Sequence, residues 1–249
     1  AGAWDIGALP LCSVLGKSCV GKSTLCRDLE KELGIVKVSL REAIEQVLQL
    51  NSLLASKVKQ ELGVGAALSE ELAVEVINWK LQQPEVRARG AVLDDFPRTQ
   101  LECVLLFKKG IVPNPLFYLD CTVSNSQKRT GSKFKHGTSA VEAYLKRTSF
   151  ENAQILSWYQ NTFDNVRYLN TDHSKWWVRD SATKYINDVF RAKRSYALAK
   201  LLRKPVSVKN LEIERREINS RLSDFGRYDP ITWKLKADLV KVSHNDYLI

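Results

Sequence analysis

The sequence predicts an α/β fold, a parallel five-stranded sheet flanked by helices. Three observations predict it. The first ~190 residues alternate short apolar runs with stretches that carry apolar residues at helical spacing. One junction, Gly16-Lys17-Ser18-Cys19-Val20-Gly21-Lys22-Ser23, fits the phosphate-binding loop G-x-x-x-x-G-K-[ST] in full. The other chemistry-bearing stretches, Asp94–Arg98 and the residues after Asp120, also follow apolar runs, where ligands of such folds sit.

The elements follow in order. Leu11–Leu15 reads as the first strand and Lys22–Leu33 as the helix after the loop, the strand–loop–helix context of P-loop NTPases. Gly16 and Gly21 allow dihedrals and a close approach that a Cβ would forbid. The loop N–H groups and the first helical turn, with Thr24 in it, then face a phosphate chain. Lys22 reaches its β and γ phosphates, and the Ser23 hydroxyl can ligate Mg²⁺.

Ile35–Val38 is the second strand. Residues 41–82 are nearly all helical, with Arg41–Leu50 and Glu70–Leu81 the clearest helices and Gly63-Val64-Gly65 a break. Ser69 before Glu70 and Glu71 marks a helix start. Ala91–Asp94, Leu116–Asp120 and Val166–Leu169 complete the strands. Gln100–Lys109, Ser139–Tyr159 and Lys175–Ala192 are the remaining helices. Asp94, at a strand end beside the loop, can hold Mg²⁺ through water, and Arg98 can clamp a phosphate with its planar fork.

Composition narrows the class. The chain has 249 residues, 44% hydrophobic and 27% charged, enough for one ordinary core with or without an appendage. No apolar run reaches membrane-helix length and no signal peptide is visible. The chain contains no Met, so it reads as a segment of a longer polypeptide. Five cysteines, without a C-x-x-C or zinc-finger histidines, read as reduced thiols of a cytoplasmic-type compartment. Much of the net charge of +10 falls after residue 190 and reads as a solvated or docked helical face rather than a nucleic-acid arm. Trp158, Tyr159, Trp176 and Trp177 read as core or strand-edge packing.

The loop together with Leu93-Asp94-Asp95-Phe96-Pro97-Arg98-Thr99 resembles the adenylate kinase family, whose pattern there is Asp-Gly-Phe/Tyr-Pro-Arg-Thr. The likeness runs from about Leu11 to Phe190. His173–Val178 and Ser220–Pro230 further resemble the linker and post-kinase motif of a multi-module ciliary member. The resemblance implies reversible transfer of a phosphoryl group from ATP, or another nucleoside triphosphate, with Mg²⁺, to a nucleoside monophosphate. Its domains would be 1–191, with a monophosphate-binding insertion at 41–82 and a very short lid at 130–138. A basic linker with part of a small β-containing motif would fill 192–249. By resemblance Lys22 and the loop hold the triphosphate, Arg98 the monophosphate and Arg129 the triphosphate nucleotide. Ser23 and Asp94 serve Mg²⁺, and the backbone near Val64 meets the acceptor base. Partners would be the two nucleotides, other modules of the parent chain and axonemal proteins of a cilium or flagellum.

The chain departs from that pattern. Glu45 stands where a phosphate-binding Arg is expected, with Arg41 one turn earlier. The lid segment Thr130–His136 offers Lys133 for one arginine, and Tyr144 replaces another. Glu102 stands for the Gln that reads the acceptor base. Three readings stay open: an active but weakened kinase, a kinase-shaped structural module of a ciliary assembly, and a P-loop NTPase acting on nucleic acid.

Overall fold

The computed structural model describes residues 9–63, 65, 67–122 and 139–201, and within these the side chains outside 139–147 and 192–201. Five strands form one sheet: β1 (Leu11–Gly16), β2 (Val36–Ser39), β3 (Ala91–Asp94), β4 (Leu116–Asp120) and β5 (Val166–Asn170). All neighbours are parallel and the order is β2-β3-β1-β4-β5. The helices are α1 (Lys22–Leu33), α2 (Leu40–Leu48), α3 (Leu53–Gly63), α4 (Glu70–Leu81), α5 (Pro84–Arg89), α6 (Gln100–Lys108), α7 (Ser139–Thr162) and α8 (Lys175–Leu201).

Alternation along the strands sorts the layers. Cys12, Val14, Val92, Phe117 and Leu119 face α1 and α8, meeting Leu25, Cys26, Leu29, Ala182 and Ile186. Leu11, Val38, Ala91 and Leu93 face the other way, onto α2, α3 and α4. Leu15, Leu116 and Tyr118 continue that second face under α6 and α7, against Cys103, Ile155 and Tyr159. The parallel sheet is thus covered on both sides, as its near-continuous apolar strands require.

β1 is the central strand, so the loop that leaves it lies mid-sheet. Its register pairs Val14 with Asp94 on one side and Gly16 with Leu119 on the other. The Asp95 N–H then donates to Val14 O at 3.1 Å, and Ser13 Oγ donates to Phe96 O at 2.6 Å. These two bonds tie the Asp94–Arg98 stretch to the strand that carries the loop.

Some expectations change. The six-residue helix α5 was not expected from the pattern; Pro84 starts it and Gly90 ends it. Helix α8 runs unbroken to Leu201, past Ala192. Trp176 and Trp177 are not core residues: they are 55% and 40% exposed. Their neighbours explain it. The buried stripe of α8 is Val178, Ala182, Tyr185, Ile186 and Val189, and both tryptophans fall off that stripe. Trp176 instead lies under Lys175 and Arg179, and Trp177 stacks on His173. Tyr159 is buried as expected and Trp158 packs at the edge of the same cluster. Positions 130–138 and 202–249, where the lid and the C-terminal motif were expected, lie outside the described residues.

Candidate functional site

The loop is built by two glycines with different tasks. Gly16 has φ +151°, and a Cβ there would stand 2.5 Å from Leu119 O and 3.0 Å from Val20 Cγ1. It needs glycine for both backbone and space. Gly21 has φ +106° with nothing within 4 Å, so it needs glycine for the backbone alone. It is the N-cap of α1, whose first turn closes through the Thr24 and Leu25 N–H groups donating to Gly21 O. Cys19, at φ +61°, supplies another left-handed step.

Lys22, the first residue of α1, folds back over the loop. Its Nζ donates to Gly16 O at 2.9 Å and to Lys17 O at 2.8 Å. An ammonium has three N–H donors. Two are held by the loop's own carbonyls, which fixes the charge at the centre of the loop. Asp95 Oδ1 stands 3.5 Å from the same nitrogen.

Ser23 and Asp94, the two residues read for Mg²⁺ in the sequence, stand in contact. Ser23 Oγ donates to Asp94 Oδ1 at 3.1 Å. The Asp94 side chain is nearly enclosed, with Lys37 Nζ 3.9 Å from its Oδ2. Burial works against the charge on Lys37, but Glu42 and Asp94 outweigh it and raise its pKa. A hydroxyl and a carboxylate in contact beside a phosphate loop are hard oxygen donors. They suit Mg²⁺, which keeps waters and takes phosphate oxygens rather than an all-protein cage. Among the described residues no group of three or more His, Cys, Asp or Glu stands close enough to hold a metal ion.

Arg98 is placed beside the loop segment but is not free. Its Nε and Nη2 donate to Glu102 Oε1 at 3.1 and 2.6 Å, and its backbone N–H donates to Glu102 Oε2. Glu102 is wholly buried, whereas the Arg98 side chain is 44% exposed. The local sequence dictates this arrangement. Thr99 caps α6 by accepting the Glu102 N–H at 3.2 Å, and a Glu three residues after the cap reaches back, as in a capping box. Here it reaches one residue further, to Arg98. A Glu side chain so engaged has no amide donor for a base and no exposed edge to offer one.

Sequence reasoning missed three contacts around the loop. Asp95 carries no role in the sequence motifs, yet it pairs with Lys22. Burial pushes its carboxyl above the ordinary value; Lys22 opposes that and Asp94 adds to it. Lys17 pairs with Asp120 at 2.9 Å, closing the loop onto the end of β4. Lys37 joins Asp94 from β2. Only the left-handed step at Asp95, where the pattern quoted above has glycine, was a usable sequence signal.

Arg41 and Glu45 both lie on the exposed face of α2. Val64 and Arg129 lie outside the described residues, as does Lys133; Tyr144 falls where no side chain is described. All five cysteines are free thiols; Cys12, Cys26, Cys103 and Cys121 are buried and Cys19 is partly exposed.

No protein-family model matches the chain. A Mus musculus protein named adenylate kinase 9 is 24% identical over 242 residues, 92% of this chain and 13% of that protein. The adenylate kinase of Paramagnetospirillum magneticum is 32% identical over 101 residues, 39% of this chain and 46% of that protein. A chloroplastic adenylate kinase of Zea mays is 22% identical over 153 residues, 61% of this chain and 69% of that protein. The chain is a relative of the adenylate kinases. Among the described residues it has the five-stranded parallel sheet expected of an adenylate kinase-like fold, and no helix long and apolar enough to cross a membrane. It spans 13% of the mouse protein and about half of the bacterial one.

Proposed function

We propose that this adenylate kinase-like chain binds a nucleoside triphosphate on the Gly16–Ser23 loop and transfers its γ-phosphoryl group, slowly, to a nucleoside monophosphate. The observation that carries the reading is Lys22. Its ammonium is pinned by the Gly16 and Lys17 carbonyls at the N-terminus of α1, with the Ser23–Asp94 pair alongside. Backbone N–H groups, a helix dipole and a fixed cation form an anion cradle. Gly16, Gly21, Lys22, Ser23 and Thr24 would hold the phosphates, and Ser23 and Asp94 the nucleotide's Mg²⁺. When bound, that ion neutralises charge on the moving phosphoryl group. Arg98 would receive the acceptor phosphate, with Val64 near its base and Arg129 on the donor side.

Slow transfer follows from electrostatics. Phosphoryl transfer needs cations aimed at the equatorial oxygens more than it needs proton shuttling. Arg98 shares its fork with Glu102, and Glu45 stands where a cation is expected. A coupled assay of ADP formation from ATP and a monophosphate tests the reading. Turnover abolished by Lys22→Ala supports it; turnover no greater than that variant's overturns it.

A second reading is favoured by the same Arg98–Glu102 pair: a nucleotide-binding structural module, one of several in a parent chain, within a ciliary or flagellar axonemal assembly. It expects nucleotide binding without turnover, and rapid turnover would exclude it.

A further inference from the structure

The cations around the loop carry their own counter-anions. Lys17 has Asp120, Lys37 has Glu42 and Asp94, and Arg98 has Glu102. Lys22 has Asp95, and this pair differs from the others because it sits in the cradle itself. Two of the three Lys22 donors are taken by loop carbonyls, so Asp95 and a phosphate oxygen contend for the third. Asp95 is held in place by its N–H bond to Val14 O at 3.1 Å. It is also held at φ +58°, a conformation a non-glycine residue adopts at a cost.

We propose that Asp95 makes the loop selective for a metal-complexed triphosphate over a bare one. The inference rests on the phosphate-loop reading above. A bare triphosphate brings more negative charge than its Mg²⁺ complex, and it meets Asp95 beside Lys22 and Asp94 beside Ser23. Like charges at such range repel each other strongly in a partly enclosed site. With Mg²⁺ on the phosphates, the same carboxylates face a cation and favour binding. The carboxylate that penalises one form of the ligand therefore rewards the other, and selectivity is the ratio of the two effects.

The test is calorimetric titration of the 249-residue chain with ATP, once in EDTA and once in excess Mg²⁺. It compares wild type with Asp95→Asn and Asp95→Gly, two residues that accept a left-handed backbone. Removing the charge tightens bare ATP by about tenfold or more and leaves MgATP binding unchanged or weaker, so the ratio narrows. An unchanged ratio in both variants overturns the role of Asp95 while leaving the phosphate loop intact. Binding by the variants alone, with Mg²⁺ as well as without it, overturns the proposal, because Asp95 then blocks the loop outright and selects nothing. No binding by any of the three, with or without Mg²⁺, overturns both this proposal and the reading beneath it.

Discussion

Replacing Gly16 by alanine separates the two demands made on this loop. The new Cβ would lie 2.5 Å from Leu119 O, a backbone atom fixed by the β1–β4 register. No rotamer change relieves that overlap. Overpacking of this kind costs about 1–3 kcal/mol, and the φ of +151° adds about 1–3 kcal/mol of backbone strain. The sum is about 2–6 kcal/mol. At ~2–4 °C per kcal/mol for a chain of this size, Tm falls by roughly 4–24 °C. Gly21→Ala is the internal control: φ is +106° but nothing lies within 4 Å, so only the strain of about 1–3 kcal/mol applies. Urea unfolding, followed by circular dichroism and tryptophan fluorescence, reads both variants. Gly16→Ala is expected to lose more than Gly21→Ala. Equal losses, or a Gly16→Ala variant as stable as wild type, would refute the account of how the loop is packed.

Four further outcomes are expected. Lys22→Ala weakens triphosphate binding by about 10–100-fold, the worth of a charge-assisted hydrogen bond, read by equilibrium dialysis. Glu102→Ala destabilises the chain by about 1–3 kcal/mol in urea, because a helix-capping acceptor is lost while Arg98 returns to water; an unchanged midpoint contradicts the capping role. Cys19 is the one thiol of five that is not buried, so a thiol reagent modifies it first in the native chain and triphosphate slows the reaction; fast modification of several thiols would show a looser core. Burial pushes the Cys12 thiol up from 9.0 to about 12. The folded state therefore holds this proton longer than the unfolded chain. The stability is present below pH ~9 and is lost as pH rises towards ~12, at about 1.4 kcal/mol per unit. Cys12→Ala flattens that slope in urea midpoints taken between pH 8 and 11.

Local pattern carried most of the fold. Strands of four to six residues between helical stretches are legible because alternation and 3.6-residue spacing are properties of neighbours in the chain. Thus Leu11–Leu15, Ala91–Asp94 and Lys22–Leu33 could be read within a residue of their observed ends. The short helix α5 could not, since six residues hold too few apolar positions to show a period. The loop and the Ser23–Asp94 meeting were legible because a full eight-residue motif and a strand end point to one place. The pairing of charges was not. Lys17 and Asp120 lie 103 residues apart, and Lys22 meets Asp95 only because β3 lies beside β1. The Arg98–Glu102 pair was within reach, at one helical turn after a Thr cap. It was overlooked because each residue was assigned to a ligand before it was assigned to its neighbour. Trp176 and Trp177 were misread because size was weighed above phase, although two successive residues in a helix point about 100° apart.

Helix α8 also behaves as a lever. Its 27 residues reach about 40 Å at 1.5 Å per residue. Val178, Ala182, Tyr185, Ile186 and Val189 clamp its first half onto Leu25, Cys26 and Leu29 of α1, and Arg179 reaches Glu32. A pull or twist delivered at Leu201 is therefore conveyed along a continuous rod to the helix that opens with Lys22. The far end of this rod, at Leu201, is thus coupled by continuous helix to the cradle that Lys22 closes.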